Sequence, residues 1–316
     1  FPTRRSSDLE MDLRDLFHLV ESKGASDLLL TAGAAPMIRV HGHIQPTDYP
    51  PLEPEDVKRL VYSILNDKQK EEFEENKELD LSLGLGAGHR FRVNCYLQRG
   101  CVAAAFRPIS SRIPGLKELG LPPIVYDLSF APQGLLLVTG PTGHGKSTTQ
   151  AAMLDLINTN KRCHIITVED PIEFVHRNKQ SVIDQRERGS DTHTFATALK
   201  YVLRQDPDVI LVGEMRDLDT VSAALTAAET GHLVLATLHT NDAVQTIDRI
   251  IDVFPERQQQ QVRVQLSLTL LAVVSQRLLP RAPGDGRVLA VEIMRNTHSS
   301  ANLIREGKTH QLYSVM

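Results

Sequence analysis

The sequence predicts an α/β protein with a smaller N-terminal α+β domain and a larger second domain built on a mainly parallel sheet. Three observations predict this. Helical and strand-like segments follow one another without strict alternation up to residue 109. A dense group of prolines and glycines comes next. Beyond residue 131, apolar strands alternate with helices, as in parallel sheets.

Length and composition narrow the possible classes of protein. The 316 residues suffice for two domains, and 41% hydrophobic with 23% charged residues is typical of a globular chain. The net charge of −4 gives no general attraction to nucleic acid. No run of 18 apolar residues predicts a transmembrane helix. The three cysteines form no C-x-x-C pair, so reduced thiols and a cytoplasmic protein are expected.

Changes in the sequence pattern along the chain predict the domain boundaries. Residues 1–10 are polar and patternless, so we expect a non-native or disordered extension before Met11. The first domain should span 11–109 and the second 131–316. The linker is expected at 110–130, where helix-breaking residues are densest. These residues are Pro114, Gly115, Gly120, Pro122 and Pro123.

In the first domain, helical spacing of apolar residues begins at Leu13 and reaches Val20, and Gly24 is a suitable helix end. Further helices are predicted over 53–65 and 67–76. Strand-like runs are predicted over 27–31, 37–40, 79–85, 89–98 and 101–109.

In the second domain, apolar runs predict strands, and periodic segments between them predict helices. The strands are expected over 134–139, 164–168, 209–213 and 233–238. The helices are expected over 146–158, 194–204, 219–230, 243–253 and, as one long helix, 255–279.

One stretch matches the phosphate-binding pattern G-x-x-x-x-G-K-[ST] and lies between a predicted strand and a predicted helix. Its glycines let several backbone N–H groups face one anion, and the helix N-terminus adds positive charge. Lys146 would reach the β- and γ-phosphates of ATP, and the Ser147 hydroxyl would hold Mg²⁺. The loop reads Gly140-Pro141-Thr142-Gly143-His144-Gly145-Lys146-Ser147-Thr148.

Two carboxylate clusters follow predicted strands, where ligands of parallel sheets collect. One contains Glu169 and Glu173, and the other contains Glu214. Magnesium-binding strands of such domains ordinarily end in Asp, but Gly213 stands there, so Glu214 is expected to serve the metal. The spacing alone leaves open whether Glu169 or Glu173 acts on the attacking water.

Two histidines, His232 and His239, flank the strand predicted over 233–238. Seven residues apart, they should face opposite sides and make a poor metal pair. Each is on its own more easily explained as a structural histidine. Beside a γ-phosphate, however, a histidine could sense whether that phosphate is present.

The phosphate loop has no arginine, so an arginine that stabilises phosphoryl transfer must come from another part of the protein. Arg90, Arg92, Arg99 and Arg107 lie in or between the last strands of the first domain. If subunits form a ring, a neighbour's arginine could reach the phosphates, although a surface or interdomain salt bridge explains each arginine more simply.

These motifs together resemble the secretion-type (GspE-like) hexameric ATPases and, within them, the PilT family of type IV pilus retraction motors. The similar segments are the phosphate loop 140–147, an acidic box 169–174, a Walker B segment 212–217 and a histidine box 230–240. The resemblance covers about residues 12–316 and implies a PAS-like first domain, a RecA-like second domain and a homohexamer.

The resemblance also implies residue roles. Lys146 would be the Walker A lysine, Glu173 the catalytic glutamate and Glu214 the Walker B carboxylate, with His232 and His239 as the histidine-box pair. The implied partner is the pilus platform protein (PilC-like) of the inner membrane, which would place the motor at the cytoplasmic face of that membrane.

One departure concerns the family's C-terminal A-I-R-N-L-I-R-E-G-K segment. Residues 302–308 match it, but Ala301 replaces the first arginine and leaves Arg305 as the remaining one. On a helix these two positions share a face. Coupling to the pilus, rather than hydrolysis, is the property expected to depend on it. The alternatives are an accessory paralogue resembling PilU and a nucleotide-binding assembly subunit without turnover.

Overall fold

The structure is a computed structural model that describes residues 11–84, 90–110, 112–282 and 286–316. The expected extension over residues 1–10 lies outside the described residues. The chain divides into two compact units, with the division after residue 110. Each unit has its own hydrophobic core.

The first unit is built on a six-stranded antiparallel sheet. Its strand order is β3-β2-β1-β6-β5-β4. The strands are β1 (Asp27–Leu30), β2 (Met37–Val40), β3 (His43–Pro46), β4 (Glu78–Gly84), β5 (Arg90–Gln98) and β6 (Cys101–Ile109). Strand β3 was not predicted, because all four of its residues are exposed and show no alternation.

Three helices accompany this sheet, namely α1 (Leu13–Ser22), α2 (Pro54–Tyr62) and α3 (Asp67–Asn76). Helix α1 begins where Asp12 accepts a hydrogen bond from the first turn, and it buries one apolar stripe. From that stripe Phe17 stacks on Phe91 with ring centroids 4.2 Å apart and meets Phe106 edge-on. Such aromatic pairs add about 0.5–1.5 kcal/mol to the burial itself.

The second unit contains a seven-stranded sheet of order β13-β12-β7-β11-β10-β8-β9. All neighbouring pairs are parallel except β12 with β13. The fold class expected from the sequence is thereby confirmed. The strands are β7 (Gly134–Thr139), β8 (His164–Glu169), β9 (Val182–Glu187), β10 (Val209–Val212), β11 (Leu233–Leu238), β12 (Leu270–Pro280) and β13 (Arg287–Arg295).

Helices pack against this sheet. They are α4 (Pro123–Ser129), α5 (Lys146–Asn160), α6 (Phe195–Val202), α7 (Leu218–Glu229), α8 (Ala243–Asp252), α9 (Glu256–Thr269), α10 (His298–Arg305) and a 3₁₀ helix over Thr309–Ser314. Helix α4 lies inside the stretch expected to be a linker. Strands β7, β10 and β11 are nearly continuous apolar runs, as expected for strands that are buried along their whole length.

The prediction of one long helix over 255–279 is wrong. Helix α9 ends at Thr269, and the chain passes directly into strand β12. Val273 and Val274 lie in this strand, and β-branched residues prefer the extended backbone. The apolar residues of 270–274 fit either period, so periodicity alone did not separate the two structures.

Helix α5 connects the start of the site to a distant loop. It begins at Lys146 behind the glycine loop, and near its other end Asn158 is fully buried. The Asn158 side chain donates to the Arg177 carbonyl at 2.7 Å and accepts from the Lys179 N–H at 3.1 Å. Its backbone carbonyl accepts from the Gln180 N–H at 2.9 Å. The loop 177–180 is thus fastened to the C-terminal end of α5.

Candidate nucleotide-binding site

The candidate phosphate-binding loop lies between strand β7 and helix α5. Gly140, Gly143 and Gly145 have φ values of +141°, +78° and +84°, a region that favours glycine. A Cβ at Gly140 would also lie 2.3 Å from the Gln276 carbonyl oxygen. The loop therefore needs glycine at 140 both for its backbone conformation and for its close approach to β12.

Lys146 is 8% exposed and folds back over the loop. Its Nζ donates to the carbonyls of Gly140 and Pro141, each at 2.9 Å. Burial lowers the pKa of Lys146, while the negative charges of Glu214 and Glu173 oppose that shift. The ammonium group is therefore held between the loop and the two carboxylates, where a phosphate would meet it.

Glu214 follows β10 and lies beside His239, which follows β11. Glu214 Oε1 lies 3.0 Å from His239 Nε2 and 2.5 Å from Arg216 Nε. Burial alone would raise the pKa of Glu214, but the hydrogen bonds from Arg216 and His239 and the positive charge of Arg216 outweigh it and lower that pKa. An ionised carboxylate is the form that can bind a metal ion.

His239 links this carboxylate to the phosphate loop. Its Nδ1 lies 3.3 Å from Thr142 Oγ1 and 3.4 Å from Lys146 Nζ, which can only donate. This arrangement fits a neutral imidazole that carries its proton on Nε2, toward Glu214. One ring thereby contacts Thr142 of the loop, Lys146 and the Glu214 carboxylate.

The unusual Gly213 has a steric cause. A Cβ there would lie 3.1 Å from the Val168 carbonyl oxygen and 3.2 Å from the Glu169 Cα. Strands β8 and β10 thus approach so closely that a side chain at this point would press on backbone atoms. The first carboxylate after β10 is that of Glu214, one residue later.

Glu169 and Glu173 have different surroundings. Glu169 Oε1 accepts from Thr167 Oγ1 at 2.7 Å and from Gln185 Nε2 at 3.2 Å, and burial raises the pKa of Glu169 to about 7. Glu173 is exposed and lines the cavity beside the loop. Both glutamates line the cavity, but of the two it is Glu173 whose side chain is exposed to solvent.

The loop, the carboxylates and His239 surround one cavity of 440 Å³. This volume lies within the range of small-molecule sites, roughly 300–1,000 Å³. The lining contains backbone donors at a helix N-terminus, the Lys146 ammonium, the Ser147 and Thr148 hydroxyls and the Glu214 carboxylate. This donor set fits a polyphosphate with Mg²⁺, a cation that prefers oxygen ligands.

Strands β12 and β13 contribute site residues that sequence reasoning missed. Gln276 accepts from Thr149 Oγ1 at 3.0 Å and donates to the His144 carbonyl at 2.8 Å. Arg287 lines the cavity and donates to the Gly143 carbonyl at 3.1 Å. The mistaken long helix over 255–279 concealed the first of these, because it placed Gln276 on a helix rather than beside the loop.

His232 is not brought to this cavity within one chain. It lies at the start of β11, whereas His239 lies after its end, about 20 Å away at the usual strand rise. There His232 Nδ1 is 2.9 Å from the Ala227 carbonyl. The two histidines thus stand at opposite ends of β11, too far apart to bind one metal ion.

The candidate arginines lie in the first unit, on β5 and β6. Arg107 is 69% exposed at its side chain and donates twice to Asp27 Oδ1, at 3.0 and 2.9 Å. Arg92 stands opposite Arg107 across the strand pair and is also exposed. In the part of the chain that the structure describes, Arg92 takes part in no ion pair. Arg99 lies in the turn between these strands.

A glycine loop before a helix, on a mainly parallel sheet with carboxylates after the neighbouring strands, defines a RecA-like nucleotide-binding domain. Comparison with known proteins narrows this class. Residues 79–314 match the model of the Type II/IV secretion system protein family, T2SSE. The chain belongs to this family.

The most informative relatives come from the type IV pilus. The chain is 52% identical to the "Type IV pilus retractation ATPase PilT" of Pseudomonas aeruginosa, over 97% of this chain and 89% of that protein. It is 44% identical to the "Type IV pilus ATPase PilU" of the same species, over 97% of this chain and 80% of that protein.

Solved structures agree with this relation. A crystal structure of the pilus retraction motor PilT with bound ADP matches at TM-score 0.91 and 53% identity, covering 97% of this chain and 89% of that one. The ATPase DotB of Legionella pneumophila matches at TM-score 0.85 and 27% identity, covering 99% and 88%. Among the residues described, no helix has the length and apolar character needed to cross a membrane.

Proposed function

We propose that this protein hydrolyses ATP to ADP and phosphate and uses the energy to drive type IV pilus retraction, and hence twitching motility. The observation that carries the proposal is the grouping of Lys146, Glu214 and His239 around one cavity. The 52% identity to PilT over nearly the whole chain supports the link to the pilus.

The roles of the residues follow from their positions. The loop N–H groups and Lys146 would bind the β- and γ-phosphates, and Ser147 and Glu214 would hold Mg²⁺ directly or through water. Bound Mg²⁺ offsets charge on the transferred phosphoryl group. Lys146 would exchange its two loop carbonyls for phosphate oxygens, a stronger charge-assisted contact.

Glu173 would orient and activate the attacking water. Its exposure at the cavity supports this choice over Glu169, whose Oε1 already accepts two hydrogen bonds. His239 would report on the γ-phosphate, because it bridges the loop and Glu214. Its hydrogen bonds would have to change when phosphate approaches Thr142 and Lys146. His232 would act elsewhere in the assembly.

The active assembly would be a homohexamer in which Arg90, Arg92 or Arg107 of one subunit reaches the phosphates of the next. The inner-membrane platform protein, PilC-like, would convert the resulting motion into pilin removal at the cytoplasmic face of that membrane. The 44% identity to PilU keeps an accessory retraction ATPase, working beside a paralogue, as the second candidate.

Two measurements test the proposal together. Purified wild-type protein should hydrolyse ATP, and Lys146→Ala and Glu173→Gln should each reduce the rate by at least about a hundredfold. If the wild type turned over ATP no faster than these variants, the protein would be a nucleotide-binding subunit without catalytic activity.

The second measurement is complementation of a cell that lacks its retraction motor. Rescue of twitching by the wild type, but not by Lys146→Ala, would establish an independent retraction motor. Intact ATPase activity without rescue would instead favour the accessory role.

A further inference from the structure

The segment that carries Glu173 is held by side chains of the neighbouring edge strand, β9. This segment runs from Ile172 to His176 between two strands, and it forms no regular ladder of its own. Gln185 and Glu187 lie two residues apart on β9 and therefore on one face of the sheet. Both side chains reach the backbone of the segment.

Gln185 binds the segment just after Glu173. Its Oε1 accepts from the His176 N–H at 2.8 Å, and its Nε2 donates to the Phe174 carbonyl at 2.8 Å. The same Nε2 lies 3.2 Å from Glu169 Oε1. One amide therefore fixes two backbone positions of the segment and a neighbouring carboxyl group at once.

Glu187 binds the segment just before Glu173. It is 4% exposed, and its Oε2 accepts from the N–H of Ile172 at 3.0 Å. Ile172 itself is 1% exposed. The residues on either side of Glu173 are thus fastened to the sheet, while the Glu173 side chain remains free to face the cavity.

We propose that Gln185 is a positioning residue for ATP hydrolysis, which acts by holding the Glu173 segment at the distance the attacking water requires. The inference rests on the proposed catalytic function of Glu173. Misplacement of a reacting group by about 1 Å can cost about a hundredfold in rate. Gln185 does not line the cavity, so its loss should affect turnover rather than nucleotide binding.

The test uses Gln185→Met, which keeps the length of the side chain and removes its hydrogen bonds. The full-length protein should lose about tenfold to a hundredfold in kcat. The dissociation constant of a fluorescent ATP analogue should change by less than about twofold, since the phosphate-binding groups are untouched. Asp184→Asn is the matched control, because Asp184 lies on β9 but faces His164 instead, at 3.0 Å, and its kcat should remain that of the wild type.

A second readout separates positioning from a general loss of structure. In single-turnover measurements, Gln185→Met should lower the rate of hydrolysis when it is introduced into the wild type. It should not lower the rate further in the Glu173→Gln variant, because a residue that acts through Glu173 has nothing left to position there. If Gln185→Met does not fold, Gln185→Asn, one methylene shorter, takes its place in both measurements.

Three outcomes would overturn the proposal. They are an unchanged kcat in Gln185→Met, an equal loss of kcat and nucleotide affinity, and a full additional loss in the Glu173→Gln background. Failure of the proposed function looks different, since Glu173→Gln itself would then turn over ATP at the wild-type rate.

Discussion

Gln276 reaches from strand β12 to the phosphate-binding loop, where its Nε2 donates to the backbone carbonyl of His144 at 2.8 Å. The opposite atom of the same amide accepts from Thr149, in the first turn of α5. Gln276 is 2% exposed, so water cannot replace these bonds. The conformation of the loop therefore depends on a strand that lies more than a hundred residues later in the chain.

Gln276→Met should weaken ATP binding. The substitution leaves the His144 carbonyl and the Thr149 hydroxyl without this partner, a loss of about 1–3 kcal/mol for a buried polar group. Part of that loss should appear as roughly tenfold weaker nucleotide binding, measured by calorimetry. The contrast with Gln185→Met, which should change kcat instead, is the control. Unchanged affinity would show that the loop holds its shape without Gln276.

Gly140→Ala should destabilise the loop more severely. The new Cβ would lie 2.3 Å from a backbone oxygen of β12, at a φ of +141° that alanine rarely adopts. Either the loop or the strand must move, and we expect a melting temperature several degrees lower together with weak ATP binding. Gly115→Ala is the matched control, because nothing lies within 4 Å of its Cβ. Equal melting temperatures for the two variants would contradict the close approach.

Arg92→Ala should lower ATP turnover while leaving stability unchanged. Arg92 is exposed and has no ion pair within the described chain, so its removal costs no contact seen here. Arg107→Ala removes an exposed ion pair with Asp27, worth about 0–1 kcal/mol. Mixing Arg92→Ala subunits with Glu173→Gln subunits tests whether Arg92 acts in trans. Activity returns only if one site can take its arginine from one subunit and its glutamate from the other. A parallel loss of folding, seen by circular dichroism, would instead indicate a structural role.

The free energy of unfolding should fall as pH rises from about 4.5 to about 7, through the contribution of Glu169. Its pKa is raised to about 7 in the folded protein, so the folded state keeps a proton that the unfolded state has already lost. Glu169→Gln, which cannot titrate, should flatten this slope by the order of 1–3 kcal/mol across the window. Urea unfolding at several pH values measures it. An unchanged slope would mean that Glu169 ionises normally.

Arg305→Ala should impair pilus retraction without slowing ATP hydrolysis. Arg305 lies at the exposed end of α10, while Ile304 and Leu312 of the same tail are fully buried in the core. A point substitution therefore tests coupling better than truncation, which would remove core residues. Ala301→Arg is the reciprocal change and should preserve or improve twitching. Lost ATPase activity in Arg305→Ala would show that the tail supports the catalytic unit itself.

Much of the site could be predicted from the sequence because its residues follow local patterns. The position of the glycine loop depends on its backbone conformation, and the positions of the carboxylates depend on the ends of β8 and β10. Short sequence motifs indicate both features. Gln276 and Gln185 could not be predicted in this way. Each acts through tertiary contact from a strand at or near the sheet edge, and no spacing along the chain links an amide on β9 to the backbone around Glu173.

The strands of the fold likewise differ in how well the sequence predicts them. The buried strands β7, β10 and β11 are continuous apolar runs, and the sequence predicts each of them. Strands β3 and β9 are largely polar, and β13 has a single buried residue, so their periodicity is weak and the sequence does not predict them. Each of the three pairs with the strand that precedes it in the chain, namely β2, β8 and β12. Their weak apolar pattern, rather than the distance to a partner, therefore prevents their prediction from the sequence.

The buried Asn158, at the far end of α5, has a consequence for hydrogen exchange. It accepts hydrogen bonds from the amides of Lys179 and Gln180, while the first residue of the same helix lies over the phosphate loop. Any tilt or shift of α5 on nucleotide binding would change the protection of those two amides from deuterium. Their exchange rates in the absence of nucleotide, with ADP and with a non-hydrolysable ATP analogue would record the movement of the helix from its end remote from the phosphates.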